Sequence, residues 1–113
     1  MPLEKHQDER RIIYDFNEAV FKSLKIVYVL DRIPIGDHYH SKKDEYFFLA
    51  SGKFEEIVVN ETILFNIDAP HFISIERETY HRFICSPGSI LIGVATELFD
   101  SQDEIKRAIG VLL

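Results

Sequence analysis

Two histidines and a glutamate stand close together near the middle of the chain. His38 and His40 are two residues apart, so on a β-strand both side chains point to the same face. The polar residues Ser41–Asp44 can form a four-residue hairpin loop, which would place Glu45 directly opposite His40 on a neighbouring strand. Two imidazoles and one carboxylate on one face are suitable ligands for a borderline divalent metal ion. The spacing therefore indicates a metal site.

Such a site needs a fourth group, and His81 is the best candidate in the sequence. It lies in the apolar run Tyr80–Cys85, where a buried histidine needs a partner. The alternative for His81 is a core histidine that bonds to a backbone carbonyl. The alternative for the first three residues is a polar strand end that faces water.

Turn-forming residues divide most of the chain into short apolar runs, which favour β-strands. The predicted strands are Arg11–Phe16, Phe21–Leu30, Tyr46–Ala50, Lys53–Val59, Thr62–Ile67, Phe72–Ile75, Tyr80–Cys85 and Ile90–Thr96. Ser51-Gly52 and Asn60-Glu61 are predicted two-residue turns, and Asp31–Asp37 is a predicted connection. Short antiparallel strands at this spacing indicate a sandwich or barrel. The stretch Glu18–Leu24 is equally compatible with a helical turn.

A short helix is predicted at the carboxyl-terminal end. Ser101 followed by Glu104 fits a capping box, in which each side chain satisfies a backbone N–H at the helix start. Ile105 and Ile109 lie four residues apart on one helix face, and Gly110 suits the position just past the helix end. We expect this helix to pack its isoleucines on the outside of the sheet.

Length and composition favour one ordinary globular domain. The chain has 113 residues, 46% of them hydrophobic. Residues 1–10 are polar and are expected to form a loose arm, followed by a single domain over residues 11–113. A formal charge of −6 argues against nucleic acid as a partner. No apolar run reaches the roughly 20 residues that span a membrane, and the amino terminus does not resemble a signal peptide.

The cysteine content indicates the compartment, and two missing motifs argue against two kinds of enzyme chemistry. Cys85 is the single cysteine, so it cannot form an intramolecular disulfide, and a cytoplasmic location is expected. The sequence has no glycine-rich phosphate loop and no serine nucleophile motif. Nucleotide hydrolysis and serine hydrolase chemistry therefore have no support.

The histidine and glutamate spacing resembles a known family. His38-x-His40, four residues, Glu45, six residues and Gly52 match the first signature of the cupin superfamily without gaps. The resemblance spans roughly residues 26–96. It implies a small antiparallel jelly-roll barrel in which these three side chains and one histidine from a second motif hold a metal.

The second cupin motif is poorly matched. Glu76, Glu78 and Cys85 stand where the family has proline, glycine and asparagine. The histidine, His81, and its strand context remain. The resemblance therefore implies His81 as the fourth ligand.

Other details are similar in character to the sugar-nucleotide isomerase and epimerase branch of cupins. These are the turn with Pro70, the strand with Tyr80-His81, and the acidic stretch Asp100–Glu104. Some members of that branch use the histidines as acid–base groups and bind no metal, and such members commonly lack the glutamate. The presence of Glu45 therefore favours a metal.

Five further residues are weaker candidates for contact with a substrate in the barrel: Phe47, Glu56, Arg77, Thr79 and Phe83. The hairpin register places Phe47 opposite both His38 and Glu56, although phenylalanine is more often plain core. Glu56 would then face inward, where an unpaired carboxylate is costly, so it must lie at the barrel mouth or be paired unless this register is wrong. Arg77 could pair with a substrate carboxylate or phosphate, but a solvated charge at the strand end is preferred. His71, beside Pro70, is expected in a surface loop.

The fold class expected from these observations is all-β, a jelly-roll barrel with a short carboxyl-terminal helix. Zinc, iron, manganese and nickel all suit the ligand set. Three functions remain open, and the sequence identifies no catalytic residue. The first is a metalloenzyme that isomerises a sugar or sugar phosphate at its carbonyl; the second is an iron-dependent oxygenase; the third is a non-enzymatic module that binds a small ligand. The cupin resemblance implies a homodimer.

Overall fold

Short apolar runs separated by turns give the chain eleven β-strands in the computed structural model, which describes residues 3–17, 20–98 and 100–106. The strands are β1 (Leu3–Gln7), β2 (Ile12–Phe16), β3 (Ser23–Tyr28), β4 (Ile35–Tyr39), β5 (Glu45–Ser51), β6 (Lys53–Val59), β7 (Thr62–Asp68), β8 (His71–Ile75), β9 (His81–Cys85), β10 (Ile90–Ala95) and β11 (Ile105–Lys106), with a 3-10 turn at Ser101–Asp103. The predicted all-β class is confirmed.

The strands form two facing antiparallel sheets and one separate ribbon. One sheet has the order β3-β10-β5-β8, the other has the order β11-β4-β9-β6-β7, and β1 pairs with β2. From β3 onward the chain passes from one sheet to the other at almost every connection. This is the jelly-roll arrangement, in which both inner faces contribute to one core.

The core lies between the two sheets and is rich in large side chains. Phe47 and Leu49 enter it from β5, and Phe54 and Phe83 enter it from β6 and β9; none of the four is more than 1% exposed. The ring centroids of Phe47 and Phe83 lie 5.0 Å apart in an edge-on arrangement. This aromatic packing holds the sheets together beneath the candidate site.

Two predicted hairpins are wrong. Strands β4 and β5 belong to different sheets, so Ser41–Asp44 crosses between sheets and is not a hairpin loop. Phe47 pairs with Gly93 and Ile73, not with His38. Ser51-Gly52 likewise joins strands of different sheets. A turn signal marks a reversal of the chain but does not say which strands will pair. The turn at Asn60-Glu61 is a true hairpin, with Val59 opposite Thr62.

The carboxyl-terminal helix is not present where it was expected. Ser101–Asp103 forms a 3-10 turn, and Ile105 and Lys106 pair with Tyr39 and His38 at the edge of the five-stranded sheet. The open edge offers backbone hydrogen-bond partners to this segment, whereas a short isolated helix is only marginally stable. The predicted positions Ile109 and Gly110 lie outside the described residues.

The amino-terminal segment is also more regular than expected. Leu3–Gln7 is not loose, because it pairs along its whole length with β2. The aromatic rings of β2 pack on the outer face of the four-stranded sheet, with Tyr14 4.9 Å from Phe48 and Phe16 4.8 Å from Tyr46 between centroids. The division into an arm and one domain stays a prediction.

Two other predicted boundaries change. Ile35–Asp37, expected in a connection, belongs to β4. The ambiguity between strand and helical turn is settled in favour of a strand from Ser23 onward, while Glu18 and Ala19 lie outside the described residues. None of the described helical residues forms a stretch long and apolar enough to cross a membrane.

Candidate metal centre

Four side chains meet at one end of the space between the sheets. His38 lies on β4 and His40 just after it, Glu45 begins β5, and His81 begins β9. One donor atom from each residue lies within 4.8 Å of all the others. His40, Glu45 and His81 are at most 4% exposed, and His38 is partly buried. We call these four residues the tetrad.

The carboxylate of Glu45 is the centre of the tetrad. Its Oε1 lies 2.9 Å from Nε2 of His40 and 3.5 Å from Nε2 of His81. The ring of His38 stands edge-on to both other rings, with centroid distances of 4.5 Å to His40 and 4.9 Å to His81. Two imidazole nitrogens therefore lie within 3.5 Å of one carboxylate oxygen, and the ring of His38 packs against both imidazoles.

The structure thus brings together the four residues that the sequence singled out as ligands, but the strands that carry them pair differently from the prediction. His40 and Glu45 do not face each other across a hairpin. They lie at the two ends of the crossing segment Ser41–Asp44, and the gap between the sheets separates their backbones. His38 and His81 are register partners in the five-stranded sheet, which the sequence did not indicate.

A β-bulge in β4 turns the histidines toward His81. The register between β4 and β9 shifts between Gly36 and His38, and Gly36 and Asp37 both have positive φ, 90° and 65°. A Cβ at Gly36 would lie 2.8 Å from the carbonyl oxygen of His81 and 2.9 Å from its ring. Glycine is therefore required here both for backbone conformation and for the close approach of His81.

The surroundings favour the protonation states that bind metal. Burial raises the pKa of Glu45, but the contact with His40 and the attraction of His81 and Lys25 outweigh it and lower the pKa to about 2. Burial also lowers the pKa of His81. At neutral pH the tetrad therefore offers an ionised carboxylate and a neutral imidazole at His81, as metal ligation requires.

Two of the five weaker candidates, Phe47 and Phe83, lie beside the tetrad. Their ring centroids are 5.7 Å and 5.5 Å from that of His81. Both are fully buried. They form an apolar floor that keeps water from the lower side of the tetrad.

An opening is lined by residues of β6, β7 and β8. Its volume is about 350 Å³, and its lining includes Ile57, Val59, Thr62, Ile73 and His71. Val59 is the register partner of His81, and Ile73 is that of Phe47, so two of the lining residues are strand neighbours of His81 and Phe47, although no residue of the tetrad lines the opening. We call it the cleft. His71 starts β8 and lines the cleft, so its expected place in a surface loop is wrong.

Glu56 and Arg77 are not brought to the tetrad. Nη2 of Arg82 donates to Oε1 of Glu56 at 2.5 Å. Since His81 and Phe83 point into the barrel, Arg82 and its partner point away, and the inward placement expected for Glu56 is wrong. The guanidinium of Arg77 contacts Asp44 at 3.3 Å and is 55% exposed, which agrees with the preferred interpretation of a solvated charge.

Thr79 reaches the tetrad through its backbone only. Its carbonyl oxygen lies 3.4 Å from Nδ1 of His81. This contact orients the ring so that Nε2 of His81 faces Glu45.

Sequence reasoning missed Lys25. Its Nζ lies 3.8 Å from Oε2 of Glu45 and 5.7 Å above the ring of Phe47. The side chain crosses β10 at Gly93, where a Cβ would lie 3.1 Å from Cε of Lys25. The only local signal was that Lys25 shares the alternation of Val27 and Val29, whose side chains face inward.

Sequence reasoning also missed the role of Asp103, which it placed in a helix. Asp103 is 4% exposed, and its Oδ2 lies 3.7 Å from Nδ1 of His40. Its Oδ1 accepts hydrogen bonds from the backbone N–H of Ser41 at 3.0 Å and from the Ser41 hydroxyl at 2.6 Å. It therefore fixes the start of the crossing segment directly behind His40.

The tetrad suits one divalent ion. Four donors bound tetrahedrally to an ion at about 2.1 Å lie about 3.4 Å from one another. The contacts of Oε1 of Glu45, at 2.9 and 3.5 Å, bracket this spacing, and the widest separation is 4.8 Å. Three nitrogens and one carboxylate oxygen are ligands that zinc, iron, manganese and nickel accept.

Comparison with known proteins shows the fold but no sequence family. No family model and no curated protein matches the chain. Among solved structures, the TDP-quinovose 3,4-ketoisomerase WlaRB of Campylobacter jejuni has a TM-score of 0.80 at 20% identity, with 98% of this chain and 93% of that one covered.

Two structures of the sugar 3,4-ketoisomerase QdtA of Thermoanaerobacterium thermosaccharolyticum are also similar. The complex with TDP has a TM-score of 0.80 at 16% identity and covers 98% of this chain and 88% of that one. A variant in complex with TDP-4-keto-6-deoxyglucose has a TM-score of 0.76 at 14% identity with the same coverage. The chain therefore shares the jelly-roll fold of sugar-nucleotide 3,4-ketoisomerases.

Proposed function

We propose that this protein is an isomerase that moves the carbonyl group between neighbouring carbons of a nucleotide-linked keto sugar. The observation that carries the proposal is the convergence of three histidines and a glutamate inside a barrel that has the fold of such isomerases. The buried tetrad is the strongest cluster of acid–base and metal-ligating groups among the described residues.

We further propose that His38, His40, Glu45 and His81 hold a divalent metal ion. When bound, such an ion polarises the sugar carbonyl and eases loss of a proton from the adjacent carbon. The neutral imidazole of His81 and the ionised carboxylate of Glu45 support this assignment. Zinc, iron, manganese and nickel are the candidates.

In the reaction one carbon loses a proton and its neighbour gains one, so the number of atoms in the sugar is unchanged. A proton leaves the carbon beside the carbonyl, and an enediol forms as the oxygen of the old carbonyl gains a proton. The neighbouring hydroxyl then loses its proton and becomes the new carbonyl, while the old carbonyl carbon gains one. Imidazole groups carry protons well at neutral pH. In the metal-free chain Nε2 of His81 is suited to this task because burial keeps its ring neutral.

The cleft supports a small-molecule ligand. Its volume of about 350 Å³ falls within the range of ligand sites. Its lining is mostly apolar and includes the polar residues Thr62, His71 and Ser74, and Phe47 packs against His81. A sugar in the cleft would lie next to Val59, the strand neighbour of His81.

The test is to supply TDP-4-keto-6-deoxyglucose in D₂O and follow the sugar by proton NMR. We expect the carbonyl to move to the neighbouring carbon with deuterium incorporated at the former carbonyl carbon. Elemental analysis of protein purified without chelator or affinity metal should show about one divalent ion per chain. Absence of both product and deuterium exchange would refute the isomerase.

Three further measurements with the same substrate distinguish the other functions. Oxygen consumption that depends on iron would indicate an oxygenase. Saturable binding of the sugar nucleotide without turnover would indicate a binding module. Full activity after complete removal of metal would assign the proton transfers to the imidazoles alone.

We also propose a homodimer, on the cupin resemblance. Strand β3 supports it, because Leu24, Ile26 and Tyr28 on one face of this edge strand are 58%, 53% and 69% exposed. Among the described strands β3 pairs with β10 alone. A second copy of the chain would cover this apolar edge. The proposed compartment is the cytoplasm, since Cys85 has no second cysteine with which to pair.

A further inference from the structure

Asp103 is a carboxylate buried behind the tetrad that neither ligates nor lies on a barrel strand. Its side chain is 3% exposed, although a buried carboxylate is costly unless its oxygens find donors. Its Oδ1 takes two hydrogen bonds from Ser41, and Oδ2 takes a longer one from the backbone N–H of Lys42 at 3.3 Å. The carboxylate is therefore held in one orientation.

That orientation directs Oδ2 toward His40. The two atoms Oδ2 of Asp103 and Nδ1 of His40 lie 3.7 Å apart. Within the described part of the chain, this buried Nδ1 makes no hydrogen bond. On the other side of the same ring, Nε2 faces Oε1 of Glu45 at 2.9 Å. The ring of His40 thus stands between two carboxylates, one of which belongs to the tetrad.

The segment that carries Asp103 is attached to the strand of the histidines. Ile105 and Lys106 pair with Tyr39 and His38, so this segment runs along the free edge of β4. The backbone N–H of Asp103 donates to the carbonyl oxygen of Asp100 at 3.0 Å, which closes the turn. The position of Asp103 relative to His40 is therefore fixed from both sides.

We propose that Asp103 is a positioning residue that acts through His40. Its Oδ2 faces Nδ1 of the ring at 3.7 Å and attracts the proton there, and so holds Nε2 toward Glu45 and toward an ion in the tetrad. Histidines that bind metals commonly donate their second nitrogen to a carboxylate in this way, and that contact fixes the ring. The inference rests on the proposed metal site for its effect on affinity, but not for the ring orientation itself.

The first test compares zinc affinity, measured by competition with a chromogenic chelator. Asp103→Asn keeps the size of the side chain and removes its charge, and we expect affinity to fall by about 10–100-fold. Asp100→Asn is the matched control, because the exposed Asp100 lies in the same turn and, among the described residues, its carboxylate accepts a hydrogen bond only from the backbone N–H of Gln102. The control should bind zinc within threefold of the wild type.

The second test requires no metal and no variant protein. A long-range proton–nitrogen correlation spectrum of the metal-free wild-type protein, at one fixed pH, reports which nitrogens of His40 carry a proton. Because carboxylates face both sides of the ring, we expect protons on both nitrogens, with Nε2 facing Glu45 and Nδ1 facing Asp103. An Nδ1 without a proton, or zinc affinity in Asp103→Asn equal to that of the control, overturns the proposal. If the wild type binds no zinc, the metal site fails while this spectrum still decides the role of Asp103.

Discussion

Nε2 of His40 lies 2.9 Å from Oε1 of Glu45, although the crossing segment between them joins two different sheets. A hairpin would have set this distance by strand pairing. Here it is set by how the sheets face each other and by the contacts of Ser41–Asp44. The candidate metal centre is therefore sensitive to the packing of the whole barrel.

Replacing Glu45 should abolish tight metal binding. Glu45→Gln removes the negative charge of the carboxylate ligand. We expect zinc affinity to fall by at least about 100-fold, because replacing a residue that only supports a metal ligand already costs about 10–100-fold. Glu56→Gln is the control, because Glu56 has the same chemistry but pairs with Arg82 away from the tetrad. Chelator competition measures both. Equal affinities in the two variants would contradict the proposed ligand set.

Gly36 should be required for the site as well as for stability. Gly36→Ala and Gly88→Ala both place a side chain at a φ near 90°, so both carry a backbone cost of about 1–2 kcal/mol. A Cβ at Gly36 also meets His81, whereas a Cβ at Gly88 meets nothing within 4 Å. We expect both variants to melt earlier and Gly36→Ala alone to lose zinc affinity. Loss of affinity in both would point to general destabilisation.

The aromatic floor should carry a large share of the stability. Phe83→Ala empties a fully buried position between Phe47 and Phe54, and we expect the free energy of unfolding to fall by about 3–5 kcal/mol. Phe65→Ala changes a ring that is 62% exposed and should cost about 1 kcal/mol or less. Denaturant titration of both variants measures the difference. Similar costs would show that Phe83 does not pack as described.

The thiol of Cys85 should be unreactive in the folded protein. Burial raises its pKa to about 11, so at pH 8 roughly one thiol in a thousand is ionised. Thiolate is the reactive form, and it stays a minor fraction until the pH approaches this raised pKa. Labelling with a chromogenic disulfide should therefore be slow in buffer and rapid in denaturant. Rapid stoichiometric labelling of the folded chain would contradict the burial of Cys85.

The homodimer should depend on the edge strand β3. Light scattering should give a mass near twice the 13.2 kDa of one chain. Ile26→Glu places a charge on the exposed apolar face of β3 and should shift the mass toward the monomer. Ile63→Glu, at a similarly exposed position of β7, should leave the dimer intact. A wild-type mass near 13.2 kDa would rule out the dimer.

The strands were predictable because their pattern is local. Lys53–Val59 has the predicted bounds, and the strands predicted at Thr62, Phe72 and Ile90 have observed ends within one residue of prediction. Alternating apolar residues and turn residues carry this information in a window of a few positions. The spacing of the histidines and Glu45 singled out three members of the tetrad, and the apolar run around His81 and the cupin resemblance added the fourth.

The pairing of strands was not predictable from the same signals. Glu56 was placed inward because Ser51-Gly52 resembled a hairpin turn, whereas the chain changes sheet there. Lys25 and Asp103 reach the tetrad from distant parts of the chain, and nothing in their local sequence encodes these contacts. At Ile105 pairing with β4 prevailed over helix propensity, which is a weak determinant beside tertiary contacts.

The alternation of the chain between two sheets has a consequence for folding. Glu45 comes from one sheet and His38 and His81 from the other, so neither half can assemble the centre by itself. Topologies dominated by distant pairings have high contact order and fold on the slow time scale of milliseconds to seconds. A ligand that needs all four donors binds only the folded barrel. Its binding free energy therefore stabilises the native state relative to the unfolded chain.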